Sequence, residues 1–233
     1  GRPFRHDLYD AYKAGREDIP DDIGAQVTRL RRLLSALDVH QVGGAPFEAD
    51  DYIATLARRA RTERPDADVL VVTGDRDLFQ LVDERTHVLY PQKGIREGVR
   101  YDVDAVTARF GVTPAQLTDY KALVGDPSDN IPGVRGIGEK TAARLIQAHG
   151  DLEAIYAALP LLAGGLRDKL TAGRADADLS RALAALRFDA PAELDWKAFA
   201  WRYDAGAALN AMSQLGFSST IGRLPASYTR PDA

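Results

Sequence analysis

The most restrictive feature of the chain is the run Val69-Leu70-Val71-Val72-Thr73, an unbroken, mostly β-branched stretch set between polar segments. Such a run suits a strand buried on both faces of a parallel sheet, where no polar alternation is needed. Its neighbours read as helices. In 21–37, Ile23, Val27, Leu30, Leu34 and Leu37 recur three and four residues apart, with Arg29, Arg31 and Arg32 largely off that stripe, so this helix is expected to dock on a sheet. A second helix is expected over 49–61, a further short strand at Val39 to Val42, the next helix from Asp77 to Val82, the next strand at 87–90, and an edge pairing at Arg100-Tyr101. Helix, strand, helix in succession argues an α/β lobe.

Beyond about residue 106 the pattern becomes helical only. Thr113-Pro114-Ala115-Gln116 has a capping oxygen, a proline at the first helical position and a glutamine three residues after the cap, so a helix is expected to run to about Val124. Further helices fit 139–148, 152–158, 165–172 and 176–186. The expected domains are therefore 1–106, an α/β lobe; 107–224, an all-helical lobe; and 225–233, a tail or linker. No apolar run approaches the ~18 residues needed to cross a bilayer, and no membrane role is expected. The absence of cysteine excludes disulfides, thiolate zinc sites and a thiol nucleophile, and fits the cytoplasm. Four scattered histidines offer no paired imidazole motif, so any metal here is expected to bind oxygen.

Three segments gather carboxylates. Glu48, Asp50 and Asp51 stand at a helix entrance, where capping is the plain alternative. Asp75 and Asp77 follow the Val69 strand, at the carboxyl end where open α/β sheets place ligands, although Gly-Asp after a strand is also a common turn. Asp126 and Asp129 lie in Gly125-Asp126-Pro127-Ser128-Asp129-Asn130, whose residues are all good turn formers. Seven converging carboxylates would repel one another, so convergence requires cations. Hard divalent ions take oxygen ligands, and in pairs they can activate water and stabilise the leaving oxygen of a phosphodiester.

Directly after the third segment comes Ile131-Pro132-Gly133-Val134-Arg135-Gly136-Ile137-Gly138-Glu139-Lys140-Thr141-Ala142, with three glycines before a helix. It is not a P-loop, because Glu139 separates Gly138 from Lys140, and it lacks the third glycine of a dinucleotide fingerprint. A helix, a glycine hairpin and a helix carrying Lys140 and Arg144 suit a grip on a nucleic-acid backbone.

These motifs together resemble the bacterial 5′→3′ exonuclease and flap endonuclease family, which includes the nuclease domain at the front of DNA polymerase I, over nearly the whole chain. The resemblance rests on Gly125 to Ala142, Glu48-Ala49-Asp50-Asp51 and Gly74-Asp75-Arg76-Asp77. It implies a PIN-like, Rossmann-like parallel-sheet lobe followed by a helix-three-turn-helix lobe. It implies Glu48, Asp50, Asp51, Asp75, Asp77, Asp126 and Asp129 as ligands of two or more Mg2+ or Mn2+ ions. It also implies DNA contacts from Gly133, Gly136, Gly138, Lys140, Thr141 and Arg144, with a K+ ion at the hairpin carbonyls. Phe4-Arg5-His6, Tyr9, Tyr12-Lys13 and Arg16 resemble the segment leading into the family's helical arch. That implies Arg5 on DNA, Tyr12 stacking on a base, and Lys13 and Arg16 at the scissile phosphate, with Tyr12 and Arg16 on one helical face; an exposed amphipathic helix is the plain alternative. In the family, a strand bearing Asp-Gly, a helix and a second strand ending in Asp precede the Phe-Arg-His segment. The chain is therefore expected to be an N-terminally truncated fragment of a monomeric protein with a polymerase following. Its substrates are expected to be DNA 5′ ends, flaps or nicks and RNA primers, the alternative being a duplex-DNA-binding module without turnover. The formal charge of −4 does not oppose DNA, because without the seven proposed ligands the cations outnumber the acids.

Overall fold

A computed structural model of the chain describes residues 2–16, 20–92, 97–201 and 204–217. The elements in chain order are α1 (Arg5–Leu8), α2 (Asp21–Ala36), α3 (Ala49–Glu63), β1 (Val69–Val72), β2 (Thr86–Pro91), β3 (Gly98–Tyr101), α4 (Val103–Phe110), α5 (Leu117–Val124), α6 (Glu139–His149), α7 (Leu152–Ala157), α8 (Gly164–Ala172), α9 (Arg174–Ala184) and α10 (Ala205–Gln214). A 3-10 segment, Arg76–Leu81, links β1 to β2. The contacts divide the chain into one unit of residues 1–16 and 43–192 and a second of 17–42 and 193–233.

In the first unit β1 and β2 pair in parallel, Val71 opposite Val88, and β3 closes the sheet antiparallel to β2 with Leu89 opposite Arg100. The sheet is thus mixed, with the expected brief edge strand present. The expectation that β1 is buried on both faces is not met. Val71 enters the core, whereas Leu70 and Val72, on the other side of the pleat, are 55% and 51% exposed. Helix α3 packs on the covered face, where Ala54 joins Val71 in the core.

The helices after β3 form largely where their caps and stripes predict. Asp102 and Asp151 cap α4 and α7 by accepting from Ala105 and Ala154. The capping box of Thr113 and Gln116 is present, but it starts a short 3-10 turn, and α5 proper begins at Leu117. Val71, Leu78 and Val88 share one apolar core with Leu123, Ile146 and Ile155, so the expected boundary at 106 does not separate two cores. The expected tail, 225–233, lies outside the described residues.

In the second unit α2 packs against α10, and the expected docking of α2 on a sheet is not found among the described residues. Leu33 is buried there, while Ile23, Val27 and Leu30 remain exposed. Nor is Val39 to Val42 a strand. Asp38 takes φ +53°, and the Val39 amide bonds back to the Leu34 carbonyl, so the segment closes α2 instead of joining a ladder.

The loop between α5 and α6 is shaped by a close backbone crossing. Gly125, at φ +75° and ψ −175°, lies against the chain at Ile131 to Gly133, and a Cβ added to it would stand 2.5 Å from the Ile131 carbonyl oxygen. Asp126 and Ile131 exchange backbone hydrogen bonds of 2.8 and 2.9 Å across the loop. Substitution Gly125→Ala combines a disfavoured dihedral with a clash against backbone that cannot swing away. It is expected to cost roughly 3 kcal/mol or more, read as a lowered urea midpoint at unchanged slope.

Candidate active site

Five of the seven predicted carboxylates, Glu48, Asp51, Asp77, Asp126 and Asp129, are ion-paired with basic partners, and Asp50 and Asp75 stand beside them, all within the first unit. The first group is built on α3. Glu48 is its N-cap and Asp51 its third residue, and the two form a reciprocal capping box. Asp51 is 0% exposed and Arg5 3%. The Arg5 guanidinium donates to both oxygens of Asp51, at 2.8 and 2.9 Å, and to the carbonyls of Leu183 and Ala185 at the end of α9. The Arg187 amide adds a third bond to Asp51 at 2.9 Å. Burial alone would raise the Asp51 carboxyl, but the hydrogen bonds from Arg5 and Arg187 and the Arg5 charge outweigh it and hold it below the usual range.

In this structure Asp51 anchors the start of α3, with its oxygens occupied by protein donors and shut off from solvent, and Arg5 is engaged by that buried pair and by helix-end carbonyls.

Around Glu48 lie Tyr12, Lys13 and Arg16. The Tyr12 ring is 3% exposed, packed with Ile131 and Leu183, and its hydroxyl lies 3.0 Å from Glu48 Oε2 and 3.3 Å from Asp129 Oδ2. Burial, then the charges of Glu48 and Asp129, push its ionisation up. A ring so enclosed is not placed to stack on a base. Lys13 donates to Glu48 Oε1 at 2.5 Å and lies 3.7 Å from Asp129 Oδ2, and Arg16 donates to Asp129 Oδ1 at 2.5 Å. Residues 10–16 form turns, with Lys13 at φ +57°, so Tyr12 and Arg16 do not share the expected helical face. They meet instead through Asp129. The Lys13 amide to the Asp129 carbonyl and the Asn130 side chain to the Ala11 carbonyl fasten these turns to the acidic loop.

The second group lies at the carboxyl end of β1. Asp75 caps the 3-10 segment by accepting from the Asp77 amide at 2.9 Å, as the turn reading of Gly74-Asp75 expects. Lys121, which the sequence did not single out, reaches from α5 to pair with Asp77 and, at 3.0 Å, with Asp126 Oδ2. The other Asp126 oxygen accepts from the Ser128 amide and hydroxyl, at 2.9 and 2.6 Å. Against the burial of Asp126, these bonds and the Lys121 charge hold its carboxyl below the usual range. The one available signal for Lys121 was a single cation on the otherwise apolar and aromatic end of α5, five residues before Asp126.

Asp50 has no such partner. Burial first, then the charges of Asp75 and Glu48, push it up to about 6. The carboxylate donors suit a hard divalent ion in kind. Among the described residues, however, no three acidic or histidine side chains are grouped to hold one, and internal ammonium and guanidinium groups stand between them.

Asp75, Asp77, Lys121 and Asp126 line a cleft of about 420 Å³, which shares Phe110, Tyr120 and Glu139 with a neighbouring hollow of about 560 Å³. That hollow carries Arg109, Lys140 and Arg144, so the basic residues of the hairpin open onto the same groove as the acids. Lys140, Arg144, Gly136 and Gly138 are exposed and Thr141 is half-buried at the start of α6. Gly133 is different: it is buried, and its amide donates to the Ser180 hydroxyl at 2.9 Å, which removes it as a phosphate donor.

Two measurements follow. Arg5→Met leaves Asp51 buried without its counter-charge, which is expected to cost about 3–5 kcal/mol at pH 7 by denaturant titration. Because Asp51 is depressed in the folded state, the stability it contributes is present above the unfolded value near ~3.9 and is lost as pH falls through the folded value, so the penalty of Arg5→Met should shrink below about pH 4. Asp50 has the opposite sign. Its raised value means that folding is opposed by ionisation as pH climbs from ~3.9 through about 6. Asp50→Asn should therefore stabilise the metal-free chain by roughly 1–3 kcal/mol at pH 8 and leave it unchanged at pH 4.

Comparison with known proteins bears on both halves of this arrangement. The model described as 5′-3′ exonuclease, N-terminal resolvase-like domain, matches residues 1–111, and that described as 5′-3′ exonuclease, C-terminal SAM fold, matches 112–205. The thermostable DNA polymerase I of Thermus thermophilus is 45% identical over 193 residues, 83% of this chain but 22% of that protein, so the chain spans about a fifth of this curated relative. Among solved structures, the T5 D15 protein co-crystallised with metal ions superposes with a TM-score of 0.67 at 18% identity, covering 96% of this chain and 80% of that one. The catalytic core of Rad2 in complex with DNA substrate gives 0.60 at 18% identity, over 95% and 75%. These two share the fold of an α/β lobe joined to a helical one. From its α/β half through its helical half, the chain is a member of the 5′-3′ exonuclease family.

Proposed function

We propose that the chain is the nuclease part of a DNA polymerase I-like protein and hydrolyses phosphodiesters at DNA 5′ ends and flaps. The observation that carries this reading is the shared groove. Acids from the end of β1 and from the loop 125–131 open onto the same surface as Lys140 and Arg144. In this reading residues 1–106, with Asp126 and Asp129 from the loop 125–131, carry the chemistry, and the rest of 107–224 grips the duplex. Lys140, Arg144 and the exposed Gly136 and Gly138 backbone bind phosphates of one strand without reading bases. Lys13 and Arg16, at the opposite edge of the acid group, balance charge at the scissile phosphate.

The cofactor of this proposal is Mg2+ or Mn2+, two or more ions, held by Glu48, Asp50, Asp75, Asp77, Asp126 and Asp129. When bound, such ions supply an activated water and neutralise the leaving oxygen. A K+ ion at the hairpin carbonyls belongs to the same proposal, beside the Gly136 carbonyl that Lys169 already reaches at 3.2 Å. The substrates are 5′ flaps and nicks, RNA primers included, acted on by a monomer in the cytoplasm whose parent chain continues into a polymerase. No helix among the described residues is long and apolar enough to cross a membrane.

A second reading, a duplex-binding module without turnover, is favoured by one observation: Glu48, Asp77, Asp126 and Asp129 are each ion-paired within the protein. Cleavage assays on a 5′-flap duplex with Mg2+ separate the two. The nuclease reading expects turnover that falls at least roughly 100-fold in Asp75→Asn/Asp77→Asn, the scale of losing a dominant electrostatic contribution. Unchanged cleavage in that double variant would remove these acids from the site. For the hairpin, Lys140→Gln/Arg144→Gln should weaken duplex binding and lower the slope of log affinity against log salt by about 2, near 0.9 per phosphate contact.

A further inference from the structure

Lys121 is a cation outside the acidic and glycine motifs quoted from the sequence. It projects from α5 into the acidic cleft and bridges Asp77, which follows β1, to Asp126, which starts the loop before the hairpin. Lysine and both carboxylates are mostly withdrawn from water, yet all three line the open cleft. Asp126 is oriented by something other than the lysine: the amide and hydroxyl of Ser128 hold its Oδ1 and leave Oδ2 directed at the ammonium. Asp77 stands at the start of the 3-10 segment, where its backbone amide donates to Asp75, and its carboxylate meets Lys121. Two carboxylates from separate segments thus meet at one point, and that point is filled by a single positive charge on a flexible four-carbon stem.

We propose that Lys121 is a displaceable counter-ion, which holds Asp77 and Asp126 together in the metal-free protein and gives them up when a divalent cation enters. The proposal rests on the metal dependence put forward above. An ammonium carries one charge and donates along separate N–H bonds, at 3.0 Å to Asp126. A divalent ion carries two charges and draws oxygens to ~2.1 Å for Mg2+, so it outcompetes the lysine for the pair. The competition has a definite sign. With Lys121 present, metal binding must first break two charged hydrogen bonds, which lowers affinity. Without it, the acids repel one another until metal arrives. Lys121 is in this sense a positioning residue: it preserves the geometry of the site through the metal-free state at the expense of metal affinity.

The probe is Mn2+ alone, without DNA, titrated calorimetrically into wild type, Lys121→Met and Lys121→Arg at pH 7.5. Lys121→Met is expected to bind Mn2+ roughly tenfold more tightly, the range of one charged hydrogen-bonded contact no longer displaced, while Lys121→Arg stays near wild type. In EDTA the melting temperature of Lys121→Met should fall below wild type, and Mn2+ should raise it by more than it raises wild type. Mn2+ affinity in Lys121→Met that is equal to or weaker than wild type overturns the proposal. Should the variant fail to fold, wild type decides. Acetylation of lysines mapped by mass spectrometry is expected to find Lys121 protected in EDTA and several-fold more reactive in Mn2+, and unchanged reactivity overturns the proposal. The two ideas fail separately: wild type that binds no Mn2+ sinks the metal reading itself, whereas wild type that binds Mn2+ with Lys121 still protected sinks only the counter-ion role.

Discussion

Carboxylate repulsion is the constraint around which the first unit is arranged. Glu48, Asp50 and Asp51 come from the start of α3, Asp75 and Asp77 from the end of β1, and Asp126 and Asp129 from the loop before the hairpin. Two like charges at 4 Å repel by ~1 kcal/mol in water and by ~4 kcal/mol at the effective dielectric of a protein surface. A fold that gathers acids from three segments therefore has to supply cations at each meeting point. Arg5 does so for Asp51, Lys13 for Glu48, Arg16 for Asp129 and Lys121 for Asp77 and Asp126. Asp75 stays exposed, where water screens it, and Asp50, with neither cation nor full exposure, pays through its raised ionisation.

The same side chains also do the local work of folding, and this is why the plain readings of the acidic segments and the functional ones coexist. Asp51 closes the capping box of α3, Asp75 caps the 3-10 segment after β1, and Asp126 orders its own turn through Ser128. A carboxylate with one oxygen committed to a backbone amide has lost much of its rotamer freedom, so its other oxygen keeps a fixed direction. In Asp51 the process runs to completion: both oxygens are taken, and the residue becomes part of the scaffold. In Asp75 and Asp126 it stops halfway and leaves an oxygen facing the cleft.

What could be read from the sequence follows from the range of the interaction involved. The β1 run as a strand, the Thr113 and Gln116 capping box and the helices after it depend on neighbours within a few residues, and these carry over to the structure with small shifts of boundary, whereas the two-faced burial expected of β1 does not. The fate of Arg5 depends on Asp51, 46 positions away, and on the carbonyls of Leu183 and Ala185, 178 and 180 away. No local pattern distinguishes an arginine destined for such a pair from one on the surface. The same holds for Tyr12, whose enclosure comes from Ile131 and Leu183, and for Gly133, whose amide is claimed by Ser180. The apolar stripe of α2 was legible as a stripe, but periodicity does not name what covers it: Ile23, Val27 and Leu30 stay exposed, and the contact that α2 makes with α10 buries Leu33.

The loop 125–131 explains why the two ion-paired groups are distinct although Asp126 and Asp129 are only three residues apart. Its ends are held by the Gly125 crossing and by the paired backbone bonds of Asp126 and Ile131, so the loop bulges between fixed posts and its two acids diverge. Asp126 turns to Lys121 on α5, and Asp129 turns to Lys13 and Arg16 on the N-terminal turns. The backbone on either side is too tightly crossed to let the acids approach one another by a loop shift. A ligand that needs oxygens from both groups must therefore work through side chains, by moving the cations aside, and lysines on flexible stems yield more readily than a forked guanidinium buried among carbonyls. That difference separates Arg5, which holds one acid within the buried scaffold, from Lys121, which holds its two at the edge of an open groove.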